Sequence, residues 1–125
     1  MNDDTLLHRQ INPAWVQDGQ VTSQAFRPTP KDERKLSVYD GDQIGPDAAF
    51  AHFTGVLGLK SVGVLSVSVA ECRAVELDAV ADPAPFPKHA VIDFGELPEK
   101  KVKTKGKLLK ARAVDRSWQH GPVTA

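Results

Sequence analysis

His8, Arg9, Ser23, Arg27, Lys31, Ser37, Tyr39 and His89 are the residues of this chain whose types could do chemistry together. Seven of these eight fall between His8 and Gln43, a polar stretch broken by short apolar pieces that also holds the only tyrosine. Arginine offers a planar fork for phosphate or carboxylate, and hydroxyls add neutral donors. If His8-Arg9 and Ser37-Tyr39 lie on adjacent strands, a cation, hydroxyls and a phenol face one cleft, a set suited to an anionic small molecule or a phosphodiester. His8, Arg9, Ser37, Tyr39 and His89 are therefore the candidate catalytic residues, with Ser23, Arg27 and Lys31 as candidate ligand contacts. The plainer alternative is an Arg9 that is solvated or paired with a carboxylate, a Tyr39 that packs, and a His89 satisfied in the core or at a sheet edge.

No stronger signature competes with this set. There is no G-x-S-x-G, no phosphate-binding glycine loop, no dinucleotide turn and no HExxH. The four histidines and single cysteine are scattered without ligand spacing, so neither a metal nor a cofactor is expected. A second candidate surface is the run from Lys100 to Arg112, which puts seven cations within 13 residues. Lys101, Lys103, Lys105 and Lys107 would make sequence-independent contacts to a phosphate backbone. The alternative is a solvated helix face docked on an acidic body. Residues 1–98 carry 8 basic and 14 acidic side chains, residues 99–125 carry 8 and 2. Aromatics do not interleave with the lysines, which disfavours base stacking.

The elements that must position these residues follow from pattern. Leu6–Ile11 reads as a strand, stopped by Pro13, with one helical turn over Ala14–Asp18 ending at Gly19. Val21–Phe26 alternates with period two and reads as a half-buried strand. Pro28–Asp32 is a rigid turn, and Leu36–Tyr39 is the next strand, closed by Asp40-Gly41. Pro46 opens a helix that Gly58 ends. Val62–Val67 is rich in β-branched residues and reads as a central strand. Ser68 and Glu71 have capping-box spacing for a short helix to about Leu77. A proline-rich connector, Asp82–Pro87, precedes a last strand, His89–Phe94. A basic helix over residues 98–118 carries a partial apolar stripe of Val102, Leu108, Leu109 and Ala113, weakened by Gly106, and 119–125 reads as a loose tail.

The expected fold is α+β: a single small domain over 1–125, with a mixed or mainly antiparallel sheet of about five strands and two or three helices. A lone cysteine, Cys72, excludes an internal disulfide and reads as a buried thiol. The acidic start MNDDTLL is unlike a secretory leader, and the longest apolar run is too short to span a bilayer. A soluble, cytoplasmic setting without membrane contact is expected.

The block RQINPAWVQDGQVTSQAFRPTPKDERKLSVYDGDQ, with DPAPFPKHAVIDF, resembles a family of short bacterial proteins to which no activity, cofactor or catalytic residue is attached. The likeness covers most of residues 8 to 94 and implies a bacterial setting. The order of a first strand with His8 or Arg9, a piece ending in Gly19, and strands with Ser37 and Tyr39 also resembles the opening of ADP-ribosyltransferase-like domains. There a first-strand polar residue and a later hydroxyl hold the nicotinamide half of NAD, which implies that work for His8 or Arg9 and for Ser37 or Tyr39. The pattern departs at the late catalytic glutamate: Glu96 lies beyond the last strand, and His89 or Asp93 would stand in its place.

The first expectation is thus a small cytosolic bacterial protein that binds a protein partner, as an accessory or immunity-type component of a toxin–antitoxin or defence system. The alternatives are an ADP-ribosyltransferase-like or phosphodiester-directed enzyme, and a nucleic-acid-binding module working through the C-terminal helix.

Overall fold

The structure is a computed structural model that describes residues 1–28 and 33–123. Its strands are β1 (Leu6–Gln10), β2 (Val16–Gln17), β3 (Gln20–Val21), β4 (Lys35–Asp40), β5 (Val64–Ser68), β6 (Asp78–Ala81) and β7 (His89–Asp93). Its α-helices are α1 (Pro46–Ala51), α2 (Val69–Ala74) and α3 (Glu99–Arg116). Five strands form one sheet in the order β5-β1-β4-β7-β6, each antiparallel to its neighbours, and β2 and β3 form a small hairpin. This is an α+β domain with a fully antiparallel main sheet.

Alternation along the strands gives the sheet two different faces. Leu7 of β1, Leu36 and Val38 of β4, Leu65 and Val67 of β5, and Ala90 and Ile92 of β7 are all buried and share the core face. α3 covers it, burying Val102, Gly106, Leu109 and Ala113, which recur at helical spacing. Leu108, expected in that stripe, is instead 48% exposed, because it falls outside the spacing that the other four keep. Gly106 is a point of close approach. A Cβ there would lie 2.6 Å from Cγ of Arg27 and 2.9 Å from the Phe26 carbonyl. The opposite face carries His8 and Gln10 of β1, Ser37 and Tyr39 of β4, Ser66 of β5 and His89 of β7.

Local signals explain the two short helices. Pro46 sits in the first turn of α1, where its missing N–H costs nothing. The helix runs on into a wider π-type turn over His52–Val56, closed by Leu57 N–H donating to the His52 carbonyl at 3.0 Å. At α2 both capping-box bonds form: Glu71 N–H donates to Ser68 Oγ at 3.1 Å, and Ser68 N–H to Glu71 Oε1 at 2.8 Å. Arg116 reaches the same carboxylate from α3 at 2.7 Å. Burial alone would raise the Glu71 pKa, but the Arg116 and Ser68 bonds outweigh it and hold the carboxyl below its usual value.

Several expectations are corrected. Val21–Phe26 is not one strand: beyond Val21, Ser23–Phe26 is a 3-10 turn that buries the adjacent Ala25 and Phe26, which a period-two strand would send to opposite faces. The helical turn placed on Ala14–Asp18 is a 3-10 turn at Pro13–Trp15 followed by the β2–β3 hairpin. Asp18 and Gly19, at φ 52° and 77°, make its two-residue turn. The strand expected to be central, β5, lies at the edge of the sheet. Of the tail expected to be loose, the described residues are hydrogen-bonded along it: Gln119 N–H donates to the Val64 carbonyl at 2.9 Å and Val64 N–H to the His120 carbonyl at 2.9 Å. Cys72 is fully buried, and burial, with the nearby Glu71 charge, pushes its thiol up to about 12. Among the described residues, no helix is long and apolar enough to cross a membrane.

Candidate functional site

The site begins where two strands part. β1 pairs with β5 at five positions but with β4 at only two, Leu7 with Asp40 and His8 with Tyr39. Past His8 the side chain of Arg9 fills the widening gap. Its Nε donates to the Ala25 carbonyl at 2.8 Å and its Nη1 to the Ser37 carbonyl at 2.9 Å, replacing the strand partner that carbonyl lacks. The guanidinium also lies 4.7 Å from the centre of the Trp15 ring.

The polar face of the sheet, with this parted end, floors a cleft of about 480 Å³, within the range that takes a small organic ligand. Phe53, Leu57, Leu59 and Phe86 give it apolar walls, and Lys35 and Lys60 stand at its exposed margin.

His8 is 2% exposed, and Nδ1 lies 2.7 Å from Ser66 Oγ while the ring also bonds the Ile44 backbone. Burial lowers its pKa, against weaker pulls from the Ile44 carbonyl and the Asp40 charge. Tyr39 is also buried, its hydroxyl 2.7 Å from Nδ1 of His52, and burial raises the phenol to about 12. Phe86 packs on Tyr39 with ring centres 5.0 Å apart, and His89 meets its edge at 5.1 Å.

His89 is held differently. Its Nδ1 donates to the Asp82 carbonyl at 2.9 Å and lies 3.6 Å from the Asp82 carboxylate. That fixes the proton on Nδ1 and leaves Nε2 as an acceptor. Gln10 is 5% exposed on the cleft floor, and its Oε1 accepts from Ser61 Oγ at 2.9 Å. Its Nε2 is buried with no hydrogen-bond partner among the described residues.

No family model, no curated protein and no solved structure matches this chain. The chemistry of the cleft is therefore read from its own side chains.

His8, Arg9, Ser37, Tyr39 and His89, drawn from three strands, all line the cleft. Ser23 and Arg27 do not. Ser23 opens the 3-10 turn, and the stem of Arg27 lies against Gly106 of α3. Lys31 lies outside the described residues, as does all of the Pro28–Asp32 turn except Pro28. His8 lies on the cleft floor with its Nδ1 held against Ser66 Oγ at 2.7 Å. The residues named by the likeness to ADP-ribosyltransferase-like domains share the cleft, but His8, Arg9 and Tyr39 have polar atoms bonded internally, while Ser37 is exposed.

Along α3, Lys101, Lys103 and Lys107 are exposed, but Lys105 is not available in the same way. Its Nζ donates to the Val75 carbonyl at 2.7 Å and satisfies the end of α2. Among the described residues, no three His, Cys, Asp or Glu side chains cluster to hold a metal ion.

Gln10, His52 and Asp82, with Asn12, Glu33, Lys35 and Lys60, are polar residues of this region not singled out in the sequence. Gln10 was within reach, because period two from His8 puts it on the same face of β1.

Proposed function

We propose that this domain is a binding protein whose cleft holds a small molecule. The observation that carries this reading is the state of the polar groups on the cleft floor. Those that a reaction would use first, the imidazole of His8 and the phenol of Tyr39, are bonded to the chain, which makes a rigid, shaped floor instead of a reactive one. The reading keeps the binding role expected from the sequence and changes the kind of partner, from a protein to a small ligand. A reducing, cytoplasmic setting with Cys72 as a free thiol belongs to the same proposal.

The test is a fragment screen by amide-resolved NMR on the whole chain. Binders should shift resonances of β1, β4 and β7 together with Phe53, Leu57 and Phe86. A screen in which no fragment perturbs that set overturns the reading.

A second reading rests on one specific contact. The Asp82–His89 pairing leaves Nε2 of His89 as a proton acceptor on the cleft, the arrangement of a general base with its orienting group. In that case His89→Ala would abolish turnover of a bound ligand while the ligand still bound. The nucleic-acid reading has three exposed lysines on α3 in its support, and a salt-dependent binding curve flattened by neutralising Lys101, Lys103 and Lys107 together would test it.

A further inference from the structure

Apart from the cleft, we infer that the border strand β6 is a docking site for a basic, extended peptide of another protein, added antiparallel to the main sheet. One bond fixes the direction of its backbone groups. Asp82 N–H donates to the His89 carbonyl at 3.0 Å, so by alternation Val80 and Asp78 also turn their amides and carbonyls towards β7. Ala79 and Ala81 therefore turn theirs outward, and among the described residues no other group bonds them. Ala81 is exposed and Ala79 half-buried, and their small side chains leave the approach open. The opposite border, β5, is already bonded by Gln119 and His120. β6 is thus the edge of the main sheet on which a strand can be laid.

Charge chooses the occupant. Glu76, Asp78 and Asp82 are the charged side chains of residues 74–87, which hold no lysine or arginine. Glu76 and Asp78 form no ion pair among the described residues, and the Asp82 side chain, 3.6 Å from His89 Nδ1, stays 40% exposed. Asp78 also stands directly opposite Asp93 of β7, a like-charge pair that works against the fold. Lys35 of β4 is in register with Asp93 on its other side but makes no ion pair with it. A cation brought to Asp78 would relieve that repulsion. Asp78, Val80 and Asp82 share one face of the sheet, with Val80 48% exposed between the two acids. The complementary strand therefore carries a basic residue, an apolar one and a second basic one at alternate positions. A second copy of this chain is the wrong occupant. If two β6 strands paired so that Ala79 of each met Ala81 of the other, Asp78 would face Asp82 at both ends.

The test is an NMR titration of the whole chain with an end-blocked peptide, Thr-Lys-Thr-Val-Thr-Lys-Thr, and its counterpart with glutamate at both lysines. The basic peptide should shift the amides of Ala79 and Ala81 and bind roughly tenfold tighter than the acidic one, less so as salt is added. Asp78→Lys, a change at an exposed position, should weaken the basic peptide and strengthen the acidic one. Ala81→Pro removes an outward N–H without breaking a bond to β7, and should abolish binding with the fold kept. N-methylation of the two threonines beside the valine should do the same from the peptide's side. If neither peptide shifts β6, or both bind equally, the inference falls. Binding that survives Ala81→Pro and N-methylation would be adhesion by charge alone and would also overturn it. So would shifts at residues 78–82 that grow with protein concentration in the absence of peptide, since they would assign the edge to a second copy.

Discussion

His8 makes the protein's stability depend on pH in a window that can be calculated. The imidazole is buried with Nδ1 against Ser66 Oγ, and burial holds its pKa below the ordinary 6.5. The unfolded chain therefore takes up a proton near pH 6.5 that the folded chain resists. Because the unfolded state binds more protons below 6.5, lowering the pH favours unfolding. The His8 contribution is complete above 6.5 and is lost as the pH falls towards the folded value. For a site that stays neutral when folded, the loss between pH 6.5 and 5.5 reaches about 1 kcal/mol, and the limiting slope is about 1.4 kcal/mol per pH unit. His8→Gln offers an amide that can donate and accept but cannot titrate. Urea denaturation of both proteins at pH 7.5, 6.5 and 5.5 measures the difference. The parent should lose stability relative to the variant by up to that amount over the last step. Parallel curves would show that His8 takes up its proton as readily folded as unfolded, and the geometry argued for it would be wrong.

Three further outcomes follow from the structure. Ser68→Ala removes the capping-box hydroxyl and should cost about 1 kcal/mol in denaturant, with the rest of the fold intact by circular dichroism. Gly41→Ala should cost about 2–3 kcal/mol by thermal melting, because the new Cβ would sit 2.2 Å from the Leu6 carbonyl, a backbone atom that cannot swing away. Arg116→Met should destabilise at neutral pH and reduce the stability lost on acidification. The depressed Glu71 carboxyl contributes above its unfolded pKa of 4.5 and loses that contribution as pH falls through the folded value.

The elements whose side chains carry the pattern were legible, and those set by tertiary pairing were not. β4 alternates, β7 is a short apolar run after a proline-rich connector, and the α2 cap is written in Ser68 and Glu71. β6 was invisible because Asp78-Ala79-Val80-Ala81 holds one strong strand former, and its pairing to β7 at four positions makes it a strand. Ala25 and Phe26 misled for the opposite reason: their alternation with neighbours is real, but Thr22 is fixed to the Trp15 carbonyl by both its N–H and its hydroxyl, and the chain curls there. The Asp18-Gly19 signal was masked by flanking strands only two residues long. In the cleft, residue type identified the polar strand residues that share a face, but it cannot tell a bonded imidazole from one with an open nitrogen. His8 and His89 differ only in partners 58 and seven residues away.

The chain that follows α3 has a consequence for how copies of this protein behave towards each other. β5 is the outermost strand on its side, and its sequence, VLSVS, is short, uncharged and rich in β-branched residues. Left bare, such a border offers a row of amides and carbonyls on which another chain can lay a strand. Gln119 and His120 occupy that row at Val64, and Val123 N–H continues it by donating to the Val62 carbonyl at 2.6 Å. Residues 119–123 therefore act as a stopper against self-templated growth. A chain cut after Ser117 would keep the residues of the cleft and form soluble oligomers or fibres as its concentration rose.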